Sequence, residues 1–324
     1  MPFSSSWSRK RAFLPLVVFI FVALYLLETC YLGTLTTLNL SSSIRLPNHR
    51  DDPNLYQRLE LANIIYEQTL WDRNGLIEKF GPEPKDIAMF PENKEPWPAY
   101  TVWDFFPPAY NCPHEVQRIG SLGDGGKWVC GLSRLRDKKD CIIYSFGINA
   151  ESSFEAELLS HTRYCEIWGY DFSVSKFGPQ IPEIEKKRTH FFPFGLAGTD
   201  EPTRYPIMYT LQSIMQQNSH THIDILKIDI ESWEFEALSS IINQTAPGAP
   251  LPFGQLLLEI HVWDKTFEEF YIWWLSLEEA GLRPFRTEAN VVYQNYNRQR
   301  SMDLAEYSFL NIKGENIFIS DRET

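Results

Sequence analysis

Polar and apolar residues follow three different rhythms along the chain. The first is an unbroken apolar run, Ala12 to Leu27, which Cys30 to Leu32 extend past Glu28 and Thr29. A bilayer core asks for roughly 20 apolar residues in a helix, so 12–32 is expected to span a membrane. The second is helical: Leu55, Leu59, Ala62, Ile65, Tyr66 and Thr69 recur at steps of three and four. That spacing predicts a stem or packing helix over about Leu55 to Trp71. The third begins after Glu115, where short β-rich runs alternate with helical ones. Ile142–Phe146, Glu166–Tyr170, Thr189–Phe194, Ile223–Ile228, Gln255–Ile260, Arg283–Thr287 and Tyr307–Ile312 predict seven strands. Ser152–Ser160, Leu211–Gln217, Trp233–Ile242 and Thr266–Ala280 predict helices between them, the last stopped by Gly281. Short apolar strands separated by helices imply a parallel sheet covered on both faces. This is a doubly wound α/β fold, whose ligands sit at the carboxyl ends of the strands.

Two segments break the rhythm. Thr34–Asp52 is rich in Ser, Thr and Asn and reads as a stem. Gly81–Pro113 carries Pro82, Pro84, Pro91, Pro96, Pro98, Pro107, Pro108 and Pro113, which rules out long helices or central strands. It reads as a linker that packs on the domain or reaches into it. The expected organisation is a tail (1–11), a transmembrane helix (12–32), a stem and linker with one helix (33–108) and a catalytic-type domain (109–320).

Charge orients this plan. Arg9, Lys10 and Arg11 are the only charges before Glu28 and keep that end cytoplasmic, giving a single-pass type II protein with a luminal domain. A cleaved secretory signal is the rival, but Glu-Thr-Cys-Tyr-Leu-Gly is a poor cleavage site. The expected location is the Golgi or endoplasmic reticulum. Cys112, Cys130, Cys141 and Cys165 then suggest two disulfides, in any of three pairings. They show no C-x-x-C spacing, and no metal is expected from them. The sequons Asn39-Leu40-Ser41 and Asn243-Gln244-Thr245 agree with a luminal domain. The net charge is −12, and the chain beyond its basic start is more acidic still, with no basic stripe. Nucleic acid is therefore not an expected partner.

Candidate chemistry falls at strand ends. Gly147 follows the first strand in Phe146-Gly147-Ile148-Asn149-Ala150-Glu151, where a glycine lets the backbone approach a ligand. The loop is not the G-x-G-x-x-G dinucleotide pattern. Asp171 ends the second strand and can accept hydrogen bonds from the two hydroxyls of a ribose, or cap a helix. Asp229 and Glu231 follow the strand Ile223–Ile228. Such a pair can hold a cation, act as acid and base, or simply favour a helix start. Lys227 is unusual inside a buried strand and is expected to pair with an acid. Glu259 and His261 share one face of the next strand, and His261 is a candidate general base or metal ligand.

These residues also carry a resemblance. Leu226-Lys227-Ile228-Asp229-Ile230-Glu231, followed by Trp233-Glu234, resembles the L-K-I-D-x-E-G-x-E core of FkbM-type S-adenosylmethionine (SAM) dependent methyltransferases, with Ser232 in place of the usual glycine. Arg118-Ile119-Gly120 with Asp124-Gly125-Gly126-Lys127-Trp128-Val129 is similar to that family's preceding R-I-G…D-G-G-Y-V element. The array from Cys112 to Ile319 looks closest to methyltransferase-like proteins with an N-terminal membrane anchor. The resemblance implies a Rossmann-like seven-stranded domain that uses SAM. It implies that Gly147, Asn149, Glu151, Asp171 and Phe172 line the cofactor site, with Asp124, Gly125 and Gly126 in a turn nearby. Asp229 would lie by the methionine end or transfer centre. His261 is the expected base, with Asp229 or Glu231 as alternatives. The compartment suggests a glycan hydroxyl or a secreted-protein side chain as acceptor. A Golgi-type glycosyltransferase and a non-catalytic Rossmann-like binding protein are the competing readings.

Overall fold

The computed structural model describes residues 52–92, 94–296 and 302–321. The expected anchor, Cys30, the Asn39 sequon and nearly all of the stem lie outside these residues. Among the described residues no helix is long and apolar enough to cross a membrane. All of them fall within one compact unit, Asn48–Thr324.

The expected stem helix is a packing helix. Helix α1 (Leu55–Phe80) runs beyond Trp71 because Arg73 and Ile77 continue the buried stripe of Leu55, Ala62 and Tyr66. Arg73 is 3 % exposed and places both terminal nitrogens on Glu278, at 2.9 and 2.8 Å. Tyr66 donates its hydroxyl hydrogen to the same carboxylate. The guanidinium also donates to the Phe105 carbonyl at 2.7 Å, so this buried charge pair leaves few donors unmet. The proline-rich stretch reaches into the fold: Val102, Phe105 and Phe106 are wholly buried.

The chain then makes a hairpin, β1 (Val116–Ile119) and β2 (Lys127–Cys130), followed by the short helix α2 (Leu132–Leu135). A parallel series follows: β3 (Ile142–Phe146), α3 (Ser153–His161), β4 (Glu166–Tyr170) and β5 (Thr189–Phe192). Two short strands, β6 (Gly195–Leu196) and β7 (Met208–Tyr209), pair with each other before α4 (Leu211–Asn218). The second half is β8 (Ile223–Ile228), α5 (Glu234–Gln244), β9 (Phe253–His261), α6 (Phe267–Ala280), β10 (Leu282–Ala289), α7 (Val291–Tyr296) and β11 (Leu304–Asn311).

Seven strands form the main sheet in the order β10-β11-β9-β8-β3-β4-β5. Chain order reverses between β3 and β8, which makes their carboxyl ends a topological switch point. The sheet is not wholly parallel: β11 runs antiparallel to both of its neighbours. Seven strands in a doubly wound order with one reversed strand give the expected Rossmann-like methyltransferase fold.

Side chains on the sheet follow the two-residue period. Tyr144, Phe146, Leu226, Ile228, Leu256 and Leu258 enter one apolar core, while Ile143, Ile225 and Leu257 enter the other. The disulfides are Cys112–Cys130 and Cys141–Cys165. The first ties the proline-rich segment to β2. The second ties the residue before β3 to the residue before β4. A buried Gln255 fastens β2 onto β9, accepting from the Cys130 amide at 3.0 Å and donating to its carbonyl at 2.6 Å.

Candidate active site

Two corners meet along the carboxyl edge of the sheet. The first is built on β3 and β4. Gly147 has φ +81°, and a Cβ added there would lie 1.8 Å from the Asp229 carbonyl oxygen. No other residue fits where β3 and β8 converge so closely. Asp171 is only 8 % exposed, and its carboxylate is engaged by the protein itself. One oxygen accepts from the Ile148 and Asn149 amides, both at 2.8 Å. The other accepts from the Ser173 amide at 2.7 Å and its hydroxyl at 2.6 Å. Four donors fill the usual acceptor capacity of a carboxylate. Here Asp171 fastens the Gly147 loop to the end of β4, rather than leaving its oxygens open to a ribose.

The other residues expected at the cofactor gather around this corner. Glu151 accepts from the Ser153 amide at 3.1 Å and the Gln180 side chain at 3.2 Å. The Asp124-Gly125-Gly126 turn reaches it: a Cβ on Gly125, φ +96°, would lie 2.5 Å from a Glu151 oxygen. Gly126 is needed for a different reason, since a Cβ there would overlap Arg118. Phe172 is 41 % exposed and borders a cleft of about 980 Å³ with Phe177, Ile181 and Phe191.

The second corner joins β8, β9 and β11 under the hairpin. By the strand period, Lys227, Glu259 and His261 all point toward the hairpin side, as do Ile225 and Leu257. Glu306 stands opposite Glu259 in the β9–β11 register. Lys127 from β2, 2 % exposed, closes over this group, with its ammonium 3.3 Å from Asp229 and in contact with Glu306. Lys227 finds carbonyl oxygens rather than the expected acid, donating to Gly147 at 2.7 Å. Glu155 lies near it and takes the Ser145 hydroxyl at 2.6 Å.

One oxygen each of Asp229 and Glu259 and one ring nitrogen of His261 lie within 4.8 Å of one another. The His261 ring is held from behind: its Nδ1 is 3.2 Å from Glu234, which also accepts the His261 amide at 2.8 Å. Its Nε2 faces Glu259 at 3.7 Å. Glu231, by contrast, is exposed.

Burial and charge compete here. Burial pushes the Asp229 carboxyl up, but Lys127 and then Lys227 outweigh it and hold Asp229 below the usual carboxylate range. Burial, then the charges of Asp229 and Glu306, push Glu259 up to about 10. Burial disfavours a charged His261, yet the bond and charge of Glu234 more than compensate and raise it. Lys127 is raised well above its ordinary range, since Glu306 and Asp229 overcome its burial.

The backbone is strained along the same edge. Non-glycine residues with φ between +42° and +78° occur at Asn149 and Ala150 after β3 and at Glu231 and Ser232 after β8; Asp264, after β9, has φ +55°. Ser232 thus keeps a left-handed turn that glycine would adopt without cost. Such outliers persist where surrounding structure imposes them, which is commonly at functional sites.

Sequence reasoning brought Asp229, Glu259 and His261 to one edge but did not single out Lys127, Glu234 or Glu306. Two signals were present. Lys127 is a charge opening a strand beside the Asp-Gly-Gly turn. Glu306 is a charge inside an apolar run. Glu234 looked like one helix-start acid among three.

A family model described as a methyltransferase domain matches residues 78–304. Two curated relatives, each described as probable methyltransferase-like protein 24, are similar. The one from Rattus norvegicus is 26 % identical over 170 residues, covering 48 % of this chain and 44 % of the relative. The one from Homo sapiens is 27 % identical over 162 residues, covering 46 % and 42 %. The matched region is thus under half of the length of either relative. Solved structures with some likeness include a Methanococcus jannaschii fibrillarin pre-rRNA processing protein, at TM-score 0.34 and 12 % identity over 55 % of this chain and 69 % of that one. A putative rRNA-methylase from Clostridium thermocellum has TM-score 0.34 and 12 % identity over 56 % and 92 %.

Proposed function

The chain belongs to the methyltransferase-domain family, and we propose that it transfers the methyl group of SAM to an oxygen nucleophile of a glycan or secreted protein in the lumen of the secretory pathway. Family membership favours this reading over a glycosyltransferase. The observation that carries the site assignment is the meeting of two corners on one strand edge: the Gly147 loop fastened by Asp171, and the cluster of Asp229, Glu259 and His261.

SAM would lie along the first corner, with the adenosine end toward Phe172 and its cleft and the methionine end over Gly147 toward Asp229. Excess negative charge at the second corner favours the sulfonium. In the transfer step the acceptor oxygen forms a bond to the methyl carbon as the carbon–sulfur bond breaks in line. The sulfur keeps that electron pair and becomes a neutral thioether. The protein need only align the partners and receive the acceptor's proton. Accessibility moves that last role from His261 to Glu231. His261 is 2 % exposed and turned inward to Glu259, whereas Glu231 is exposed at the mouth. His261 then serves to order the cluster.

The luminal assignment is supported by the basic-apolar start of the chain and by the two disulfides, which persist in oxidising compartments. The sequence resemblance to FkbM-type enzymes points the same way on the cofactor. The test is transfer of labelled methyl from SAM into a secretory glycan and protein pool by the full chain. Label in the glycan or protein fraction is the expected result. No SAM binding by calorimetry would favour a non-catalytic binding role.

A further inference from the structure

We propose that Asp229, Glu259 and His261 form a binding site for one first-row divalent cation. The inference rests on the same corner as the transfer centre above, but not on the methyl-transfer reaction itself.

Metal ligands of this kind sit ~2.0–2.2 Å from the ion. Two donors on one ion are therefore separated by up to roughly 4.4 Å. The three donor atoms already lie within 4.8 Å of one another, so sub-ångström adjustments close them on an ion.

His261 is 2 % exposed, and its Nε2 faces Glu259. Its distance to Glu259 Oε2 is 3.7 Å, beyond hydrogen-bond reach. A ring nitrogen of a buried side chain facing a carboxylate oxygen at that distance leaves room for something between them.

The His261 ring is also supported from behind. Metal-bound histidines usually give their other ring nitrogen to a carboxylate or carbonyl, which fixes the ring and its tautomer. Glu234, 0 % exposed, occupies that place against Nδ1 at 3.2 Å. Glu259 is fixed in the same way: its Oε1 takes the Asn290 amide at 2.7 Å, leaving Oε2 toward His261. Asp229 keeps 24 % of its side chain exposed and provides the way in.

Charge balance agrees. Asp229, Glu231, Glu234, Glu259 and Glu306 surround His261, Lys127 and Lys227, and Lys127 is already shared with Glu306. Two carboxylates and an imidazole suit Mn²⁺, Fe²⁺ or Zn²⁺ better than Ca²⁺, whose sites are built from oxygen. Three protein ligands leave positions open for water or for the acceptor oxygen.

The test uses the full chain, stripped with chelator and titrated with Mn²⁺ by electron paramagnetic resonance. The expected result is one ion per chain with one imidazole nitrogen coupled to it in electron spin-echo modulation. Glu259→Gln, which keeps the side-chain volume, and His261→Asn should each weaken binding at least tenfold while circular dichroism remains native. The nitrogen coupling needs no variant, so a misfolded variant does not spoil the test. No stoichiometric ion at millimolar Mn²⁺, an ion without nitrogen coupling, or unchanged affinity in both folded variants would overturn the proposal. Methyl transfer by a chain that takes up no stoichiometric ion at millimolar Mn²⁺ would remove the cation and leave the methyltransferase reading standing. An ion bound at this site without any SAM binding would do the reverse.

Discussion

Strand β8 carries a buried aspartate near its start and delivers a half-buried one at its end, and the two behave in opposite ways. Asp224 has Lys138 at 3.4 Å; Asp229 has Lys127 at 3.3 Å. Burial dominates at Asp224 and pushes it up to about 6. At Asp229 burial is outweighed by Lys127 and Lys227, and the carboxyl is held low. The distance to one lysine does not separate them. What differs is the surroundings. Lys138 is shared with the exposed Asp140, and one Asp224 oxygen has no hydrogen-bond partner. Asp229 sits among Lys127, Lys227, His261 and the Glu259 carboxyl. The amino end of the strand tolerates a charge, whereas the carboxyl end is organised around one.

The largest expected break in this contrast comes from Lys127→Met. It leaves Asp229 and Glu306 without their buried partner and should cost about 3–5 kcal/mol in chemical unfolding. Lys138→Met at the other end should cost less, about 1–2 kcal/mol, because the buried Asp224 it leaves behind already has its carboxyl raised to about 6 and can take up a proton. Equal losses would erase the distinction.

Gly147→Ala comes next. The added Cβ collides with the Asp229 carbonyl, and φ +81° is costly for alanine. A destabilisation of about 3 kcal/mol is expected, with SAM affinity by calorimetry lowered more than tenfold. Native SAM affinity in this variant would remove the loop from the cofactor site.

Asp224 gives a pH signature. Its folded value, about 6, lies above the ordinary 3.8, so the folded state binds this proton more tightly. Its contribution to stability is therefore present below about pH 4 and is lost as pH rises toward 6. Asp224→Asn removes that loss. The variant should gain stability relative to the parent across pH 4–6, and unfolding curves at several pH values would show it. A gap that closes with rising pH would contradict the sign. The smallest effect belongs to Ser232→Gly, which should relieve φ +78° and stabilise by about 1 kcal/mol.

Much of the fold was legible in the chain. The strands Ile142–Phe146, Glu166–Tyr170 and Ile223–Ile228 match their expected bounds because each is a compact apolar run closed by a polar residue or glycine. The reversal of β11 was not legible, since strand direction is set by partners and not by the residues of the strand. The pairing of the four cysteines was open for the same reason. At the site, strand period put Glu259 and His261 on one face. It could not show that Lys127, far away in sequence, covers them. Nor could it show that Asp171 is consumed by four donors, two from the Gly147 loop and two from Ser173, because a strand-end aspartate reads alike whether it faces a ligand or a backbone.

The central claim is that the cluster beside the Gly147 loop is a methyl-transfer centre. Its most direct test is single-turnover transfer of labelled methyl from SAM into a secretory glycan and protein pool by the full chain and by Glu231→Gln, with SAM affinity measured alongside. Transfer by the parent chain is expected, with a loss of about 10²-fold or more in the variant at nearly unchanged SAM affinity. Full turnover by Glu231→Gln would contradict it.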